Sequence, residues 1–240
     1  MKTIAASIRN TACVLGAMWF GFLLQQLSFF PTTNWGILPR HLQNLKGILT
    51  APLMHAGWAH LLSNSLPMVV LCLMLFQFYR RIAWVSLGLI HLWTGVAVWL
   101  LARGGSVHLG ASGVVYGLAA FVFCNGLFRR NFQSILLLLV VTVLYSGLLY
   151  GVVPVRSGIS WESHLFGALV GAVTAFGLRG MKTSAPRTSE TLPETLPDAV
   201  KMRPQLISNR NPDNSEAFEQ ALKRELESPP PRTTRKDRPQ

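Results

Sequence analysis

Residues 110–130, GASGVVYGLAAFVFCNGLFRR, run for nineteen residues without a charge and end on two arginines. Crossing the hydrocarbon core of a bilayer takes about 20 predominantly apolar residues, so this stretch has the length and composition of a membrane span. Comparable runs lie near 11–30, 53–78, 82–101, 134–152 and 162–179. With 111–128 they make six. The expected fold class is therefore all-α: a polytopic membrane bundle of six transmembrane helices in contact with the lipid bilayer. The first run has full spanning length and is not followed by a small-x-small cleavage pattern, so it reads as a retained span.

Composition points the same way, because half of the 240 residues are apolar and only 13% are charged. Residues 1–181 hold eleven of the 22 Lys and Arg but a single acid, Glu162. A net charge of +12 would suggest a nucleic-acid partner if the cations formed a stripe on a soluble surface. They stand instead at the ends of apolar runs, which excludes that class. Lys2 and Arg9 precede the first span, Arg80 and Arg81 join the second to the third, Arg129 and Arg130 join the fourth to the fifth, and Arg179 and Lys182 follow the sixth. By the excess of positive charge in cytoplasmic loops, both termini are cytoplasmic. The compact layout fits a bacterial inner membrane. Cys13, Cys72 and Cys124 each lie within an apolar run and read as buried free thiols.

Two regions follow, a six-span membrane domain over 1–181 and a cytoplasmic tail over 182–240. The tail holds nine of the fourteen prolines and the other nine acids. Such a composition cannot bury enough apolar surface to order itself. A short helix is expected only near 215–227, where Phe218, Ala221, Leu222 and Leu226 recur at helical spacing.

Polar side chains are costly inside a membrane, so their positions carry information. His60, Asn64, Ser112 and His164 all fall in the outer parts of the second, fourth and sixth spans. Ser112 and His164 each stand near the start of a span, at matching depth. Gly113 and Gly117 follow Ser112, and Gly167 and Gly171 follow His164, which allows two helices to approach closely. A serine needs a base to become a nucleophile, and histidine is the usual one. No Asp precedes residue 198, and Glu162 projects from another face than His164. A serine hydrolase built here uses a dyad. Tyr116, one turn below Ser112, is placed to support the imidazole or simply to fill the core. His60 and Asn64, four apart on one helix face, are placed to donate to a developing oxyanion. A metal set of His55, His60 and His164 is the alternative; it has no carboxylate and no i, i+4 pair, and the expectation is no metal and no cofactor. His91 and His108 read as hydrogen-bonded structural residues, and Pro67 as the site of a kink.

Three motifs resemble those of the rhomboid family. Gly110-Ala-Ser112-Gly113 with Tyr116 is similar to its GxSG nucleophile motif, His164-x-x-Gly167-x-x-x-Gly171 to its HxxGxxxG, and His55-x-x-x-x-His60-x-x-x-Asn64 to its second-span HxxxxHxxxN. The resemblance covers about residues 11–180. It implies an intramembrane serine endopeptidase with Ser112 as nucleophile and His164 as general base, His60 and Asn64 in the oxyanion hole, and Tyr116 stacked on His164. It also implies that residues 31–52 lie half in the outer leaflet. Its partners would be transmembrane protein substrates, entering sideways and cut near their outer ends. The family's Trp-Arg pair in the first loop is absent, with Gly36-Ile-Leu-Pro39-Arg40 in its place. Two other readings use the same residues. A catalytically silent client-binding relative should have lost Ser112 or His164, and a transporter should carry ionisable groups at mid-membrane.

Overall fold

The computed structural model describes residues 2–130, 132–145, 151 and 160–183. Among these residues the chain is all-helical, with eight α-helices and no strand beyond one isolated bridge between Ile37 and His108. The helices are α1 (Lys2–Gln26), α2 (Thr32–Trp35), α3 (Gly47–Thr50), α4 (Trp58–Phe78), α5 (Ala83–Leu101), α6 (Ser112–Arg129), α7 (Phe132–Tyr145) and α8 (Trp161–Gly177). Four segments are long and apolar enough to cross a membrane: Ile4–Gln26, Trp58–Phe78, Ala83–Leu101 and Ser112–Arg129. Phe132–Leu144 is apolar but shorter, and α8 has 17 residues. The fifth expected span, near 134–152, continues past the described end of α7. The tail beyond Thr183, with the helix expected near 215–227, lies outside the described residues.

Five of the six apolar runs agree with observed helices except at their ends, and the fifth run agrees with α7 as far as Tyr145. The first helix begins well before residue 11. The second begins at Trp58 rather than near 53, because Ala51–Leu53 form a separate 3₁₀ turn and Gly57, just ahead of α4, is extended. Pro67 sits inside α4 without ending it. Of the three thiols, Cys72 is buried, Cys124 is half-buried and Cys13 is exposed. That last position corrects the expectation of a buried thiol: an apolar run says only that a side chain avoids water, and in a bilayer lipid satisfies that as well as protein does.

At the centre of the bundle, α6 packs against α4, α5, α7 and α8, while α1 packs on α4. Its buried face includes Val115, Leu118, Phe121 and Val122, which join Leu61, Leu71, Leu75 and Ile90 in the main core. Against α8 the contact is of another kind. A Cβ on Gly167 would overlap the Gly113 carbonyl oxygen, and one on Gly171 the Gly117 carbonyl oxygen. The two backbones touch, so neither side chain has room to exist.

Residues 31–53 form short helical turns rather than a tether. Asn44 donates from Nδ2 to the Thr33 and Gly36 carbonyls, and Thr50 Oγ1 donates to the Trp35 carbonyl. Gly36, in the stretch that replaces the Trp-Arg pair, lies directly against Val107, His108 and Leu109. Ile37 and His108 exchange both backbone hydrogen bonds, at 3.0 and 2.8 Å. This joins the first connection to the loop that leads into α6.

Introducing a methyl group between touching backbones forces a shift that neither helix can absorb locally. Gly171→Ala is expected to cost about 1–3 kcal/mol, measured by thermal or denaturant unfolding in detergent. Gly177→Ala, whose Cβ meets nothing within 4 Å, should stay near wild type. Equal stability of the two variants would contradict the packing described.

Candidate active site

Ser112 is the first residue of α6, where backbone N–H groups have no acceptor within the helix. The turn before it depends on Gly110, whose φ of +98° is rarely open to a residue with a side chain. A Cβ at Gly110 would also lie 2.7 Å from His60 Nε2 and 3.2 Å from Asn64 Nδ2. The His60 and Asn64 side chains therefore converge on the backbone two residues before Ser112.

His164 lies in the first turn of α8, opposite Ser112. Its Nε2 is 2.9 Å from Ser112 Oγ and its Nδ1 is 2.9 Å from the Gly151 carbonyl oxygen. A carbonyl oxygen can only accept, so Nδ1 carries the proton of the neutral ring. Nε2 is then the acceptor, and the Ser112 hydroxyl donates to it. The Tyr116 ring lies flat on the imidazole, with centroids 4.1 Å apart and planes 5° from parallel. Gly151 is required beside this stack, because a Cβ there would overlap the Tyr116 hydroxyl oxygen.

The Ala56 N–H is 3.4 Å from His60 Nδ1, which leaves His60 Nε2 as the protonated, donating nitrogen. Asn64 Nδ2 is buried and has no hydrogen-bond partner among the described residues. Leaving a buried amide donor unsatisfied costs about 1–3 kcal/mol, and such atoms in a native fold call for an explanation. Both groups line a cavity of about 550 Å³, together with Ser112, Tyr116, Ser160 and His164. Ser112, His164, His60, Asn64 and Tyr116 thus line one cavity, with Gly110 beside His60 and Asn64, and Gly113, Gly117, Gly167 and Gly171 in the seam between α6 and α8.

Sequence reasoning missed two participants. Gly151 acts through its carbonyl, which every residue has, so no side-chain signal could have found it. Arg103 pairs with Glu162, whose carboxylate is buried, and its guanidinium also lies over Trp161. His108, expected to be a hydrogen-bonded structural residue, joins Ser160 and Ser163 in a hydrogen-bonded cluster. Burial holds the His108 pKa below its ordinary value, against the pull of the nearby Glu162 carboxylate, so the ring is neutral at pH 7. His91 bonds the Leu49 carbonyl at 3.0 Å, as expected of a structural histidine. Of the three histidines weighed as metal ligands, His55 and His60 lie edge to face with centroids 5.1 Å apart. Among the described residues no three His, Cys, Asp or Glu side chains come together.

Comparison with known proteins bears on the same region. A family model described as the rhomboid domain matches residues 42–181. An uncharacterized protein of Mycobacterium tuberculosis is 38% identical over 172 residues, which cover 68% of this chain and 71% of the relative. An uncharacterized protein of Mycobacterium leprae is 36% identical over 191 residues, covering 75% and 73%.

The contact between Gly151, Tyr116 and His164 gives a test that needs no substrate. Gly151→Ala should push Tyr116 off the imidazole, removing its ring current and shifting the His164 ring resonances in ¹⁵N or ¹³C spectra. Resonances that stay at their wild-type positions would contradict the stack.

Proposed function

The chain belongs to the rhomboid family, and on that premise we propose that it is an intramembrane serine endopeptidase acting through a Ser112–His164 dyad. The observation that carries the proposal is the 2.9 Å contact between Ser112 Oγ and a His164 ring whose tautomer is fixed by the Gly151 carbonyl. A correctly aimed lone pair is what a serine nucleophile needs.

In this reading His164 Nε2 takes the Ser112 proton as Oγ attacks the scissile carbonyl. The charge that develops on the carbonyl oxygen meets His60 Nε2–H, Asn64 Nδ2 and the Ser112 backbone N–H. The unpartnered Asn64 amide supports this role, since a donor kept free for the transition state stabilises it more than the ground state. The imidazolium is steadied by the Gly151 carbonyl on one edge and the electron-rich face of Tyr116 on the other. It then returns its proton to the leaving amine. Water entering through the outer cavity hydrolyses the acyl-enzyme, with His164 again as base. No metal or organic cofactor takes part.

The chain is an integral membrane protein by family and by its apolar helices. We further infer six spans, with α7 and α8 as the fifth and sixth, both termini cytoplasmic, and the cavity facing the outer side of a bacterial inner membrane. Residues 182–240 form a separate cytoplasmic tail. Substrates are transmembrane segments of other proteins, cut within or beside their span near the outer end.

Purified protein should cleave a model single-span substrate, and Ser112→Ala and His164→Ala should each reduce cleavage to background while remaining folded. Asn64→Ala should lower kcat by about 10²- to 10³-fold, the usual effect of losing one oxyanion donor. Cleavage by Ser112→Ala at the wild-type rate would sink the mechanism. Folded wild type that cuts no substrate would favour the client-binding alternative.

A further inference from the structure

Glu162 is the single acid among residues 1–181, and its side chain is 4% exposed. Arg103, from the loop between α5 and α6, reaches it with two nitrogens: Nε donates to Oε1, and Nη2 lies 3.4 Å from Oε2. Burying a carboxylate is unfavourable unless it is paired, so a lone one kept two residues from His164 needs a reason. Beside it a second set of polar contacts joins the same loop to the same turn. His108 Nδ1 contacts Ser160 Oγ, and Ser160 Oγ is 2.6 Å from Ser163 Oγ. Residues 160, 162 and 163 thus anchor the first turn of α8, and Arg103 and His108 hold it from the loop. The loop is itself fixed, through the two backbone bonds between His108 and Ile37.

The seam between α6 and α8 explains what such an anchor does. Gly167 and Gly171 lie three and seven residues after His164, on its side of the helix, and rest on the Gly113 and Gly117 carbonyls. Touching backbones fix how near the two axes come. They offer few side chains that would resist rotation of α8 about its axis or sliding along it. The Ser112–His164 contact tolerates only about 0.5 Å and 10–20° of error. Glu162 lies two residues from His164, about 200° around the helix. A directional ion pair on that far face opposes the rotation that the glycine seam leaves free.

We propose that Arg103 and Glu162 form a latch that sets the rotation and depth of α8, making both positioning residues for His164; the proposal rests on the dyad reading above. Neither side chain reaches the reacting atoms.

The test compares wild type with Glu162→Gln, Arg103→Ala and Arg103→Lys. Three readouts are taken: labelling of Ser112 by a fluorophosphonate probe, kcat and KM on the single-span substrate, and the folded fraction at the assay temperature. Glu162→Gln and Arg103→Ala should lower labelling rate and kcat by about 10- to 100-fold, the cost of an ångström-scale misplacement. KM should stay within about twofold, and the loss of rate should exceed any loss of folded fraction. Arg103→Lys, which keeps the charge and one donor, should recover most of the rate. Variants that label and cleave as fast as wild type overturn the latch and leave the dyad standing. So does a loss of rate that merely tracks the loss of folded protein. Wild type that neither labels nor cleaves overturns both.

Discussion

An imidazole on one helix meets a serine hydroxyl on another only when the two backbones nearly touch, because the serine side chain extends a single carbon. The contact of Gly113 and Gly117 with Gly167 and Gly171 provides that approach. Everything chemical about the site depends on it. At the usual interaxial distance of about 8–10 Å, side chains would separate the helices and Ser112 would bond to something nearer. The same contact places α6 in the middle of the bundle, so that α4, α5 and α7 can pack around it and bring His60 and Asn64 to the other side of Ser112.

A serine–histidine pair also requires a third group to fix which ring nitrogen carries the proton. A buried carboxylate is one solution, but inside a membrane its desolvation would be severe. Here a neutral main-chain carbonyl, that of Gly151, performs the task at 2.9 Å, and a flat aromatic ring restricts the imidazole from the side. The one acid in this part of the chain is directed away from the dyad and toward Arg103, whose guanidinium is exposed. Charge is thus kept at the rim, while hydrogen bonds and stacking act within.

Much of this was legible in the sequence, and the reasons differ by residue. Span positions follow from transfer energetics, which depend on composition and little on neighbours, so the apolar runs and the helices agree apart from their ends. Ser112, His164, His60 and Asn64 were visible because polar groups in apolar runs are costly and theirs share one depth. The glycine pairs stood out because their spacing is helical. The Gly151 carbonyl was not legible, since backbone atoms carry no residue signature and its neighbours are ordinary. Nor was the Arg103–Glu162 pair, 59 positions apart in the chain, because in a topology count Arg103 is only one more loop charge. The exposed Cys13 shows the limit of hydropathy: it separates water from everything else, and does not separate lipid from protein.

The cavity brings these features into one physical balance. Among the described residues the Asn64 amide has no partner, and Gly110, at φ +98°, leaves open beside His60 and Asn64 the space a Cβ would fill. The unsatisfied amide costs the resting fold about 1–3 kcal/mol, and it is located where the proposed mechanism puts the oxyanion. The stabilising contacts are placed elsewhere: the apolar core around Leu61, Leu71, Leu118 and Phe121, the glycine seam, and the polar cluster at the start of α8. An unsatisfied donor beside Ser112 can persist because the surrounding helices over-determine its geometry. A helical bundle can keep a polar, partly unsatisfied pocket for the same reason, since the polar groups that line it stand on helices packed through the apolar core.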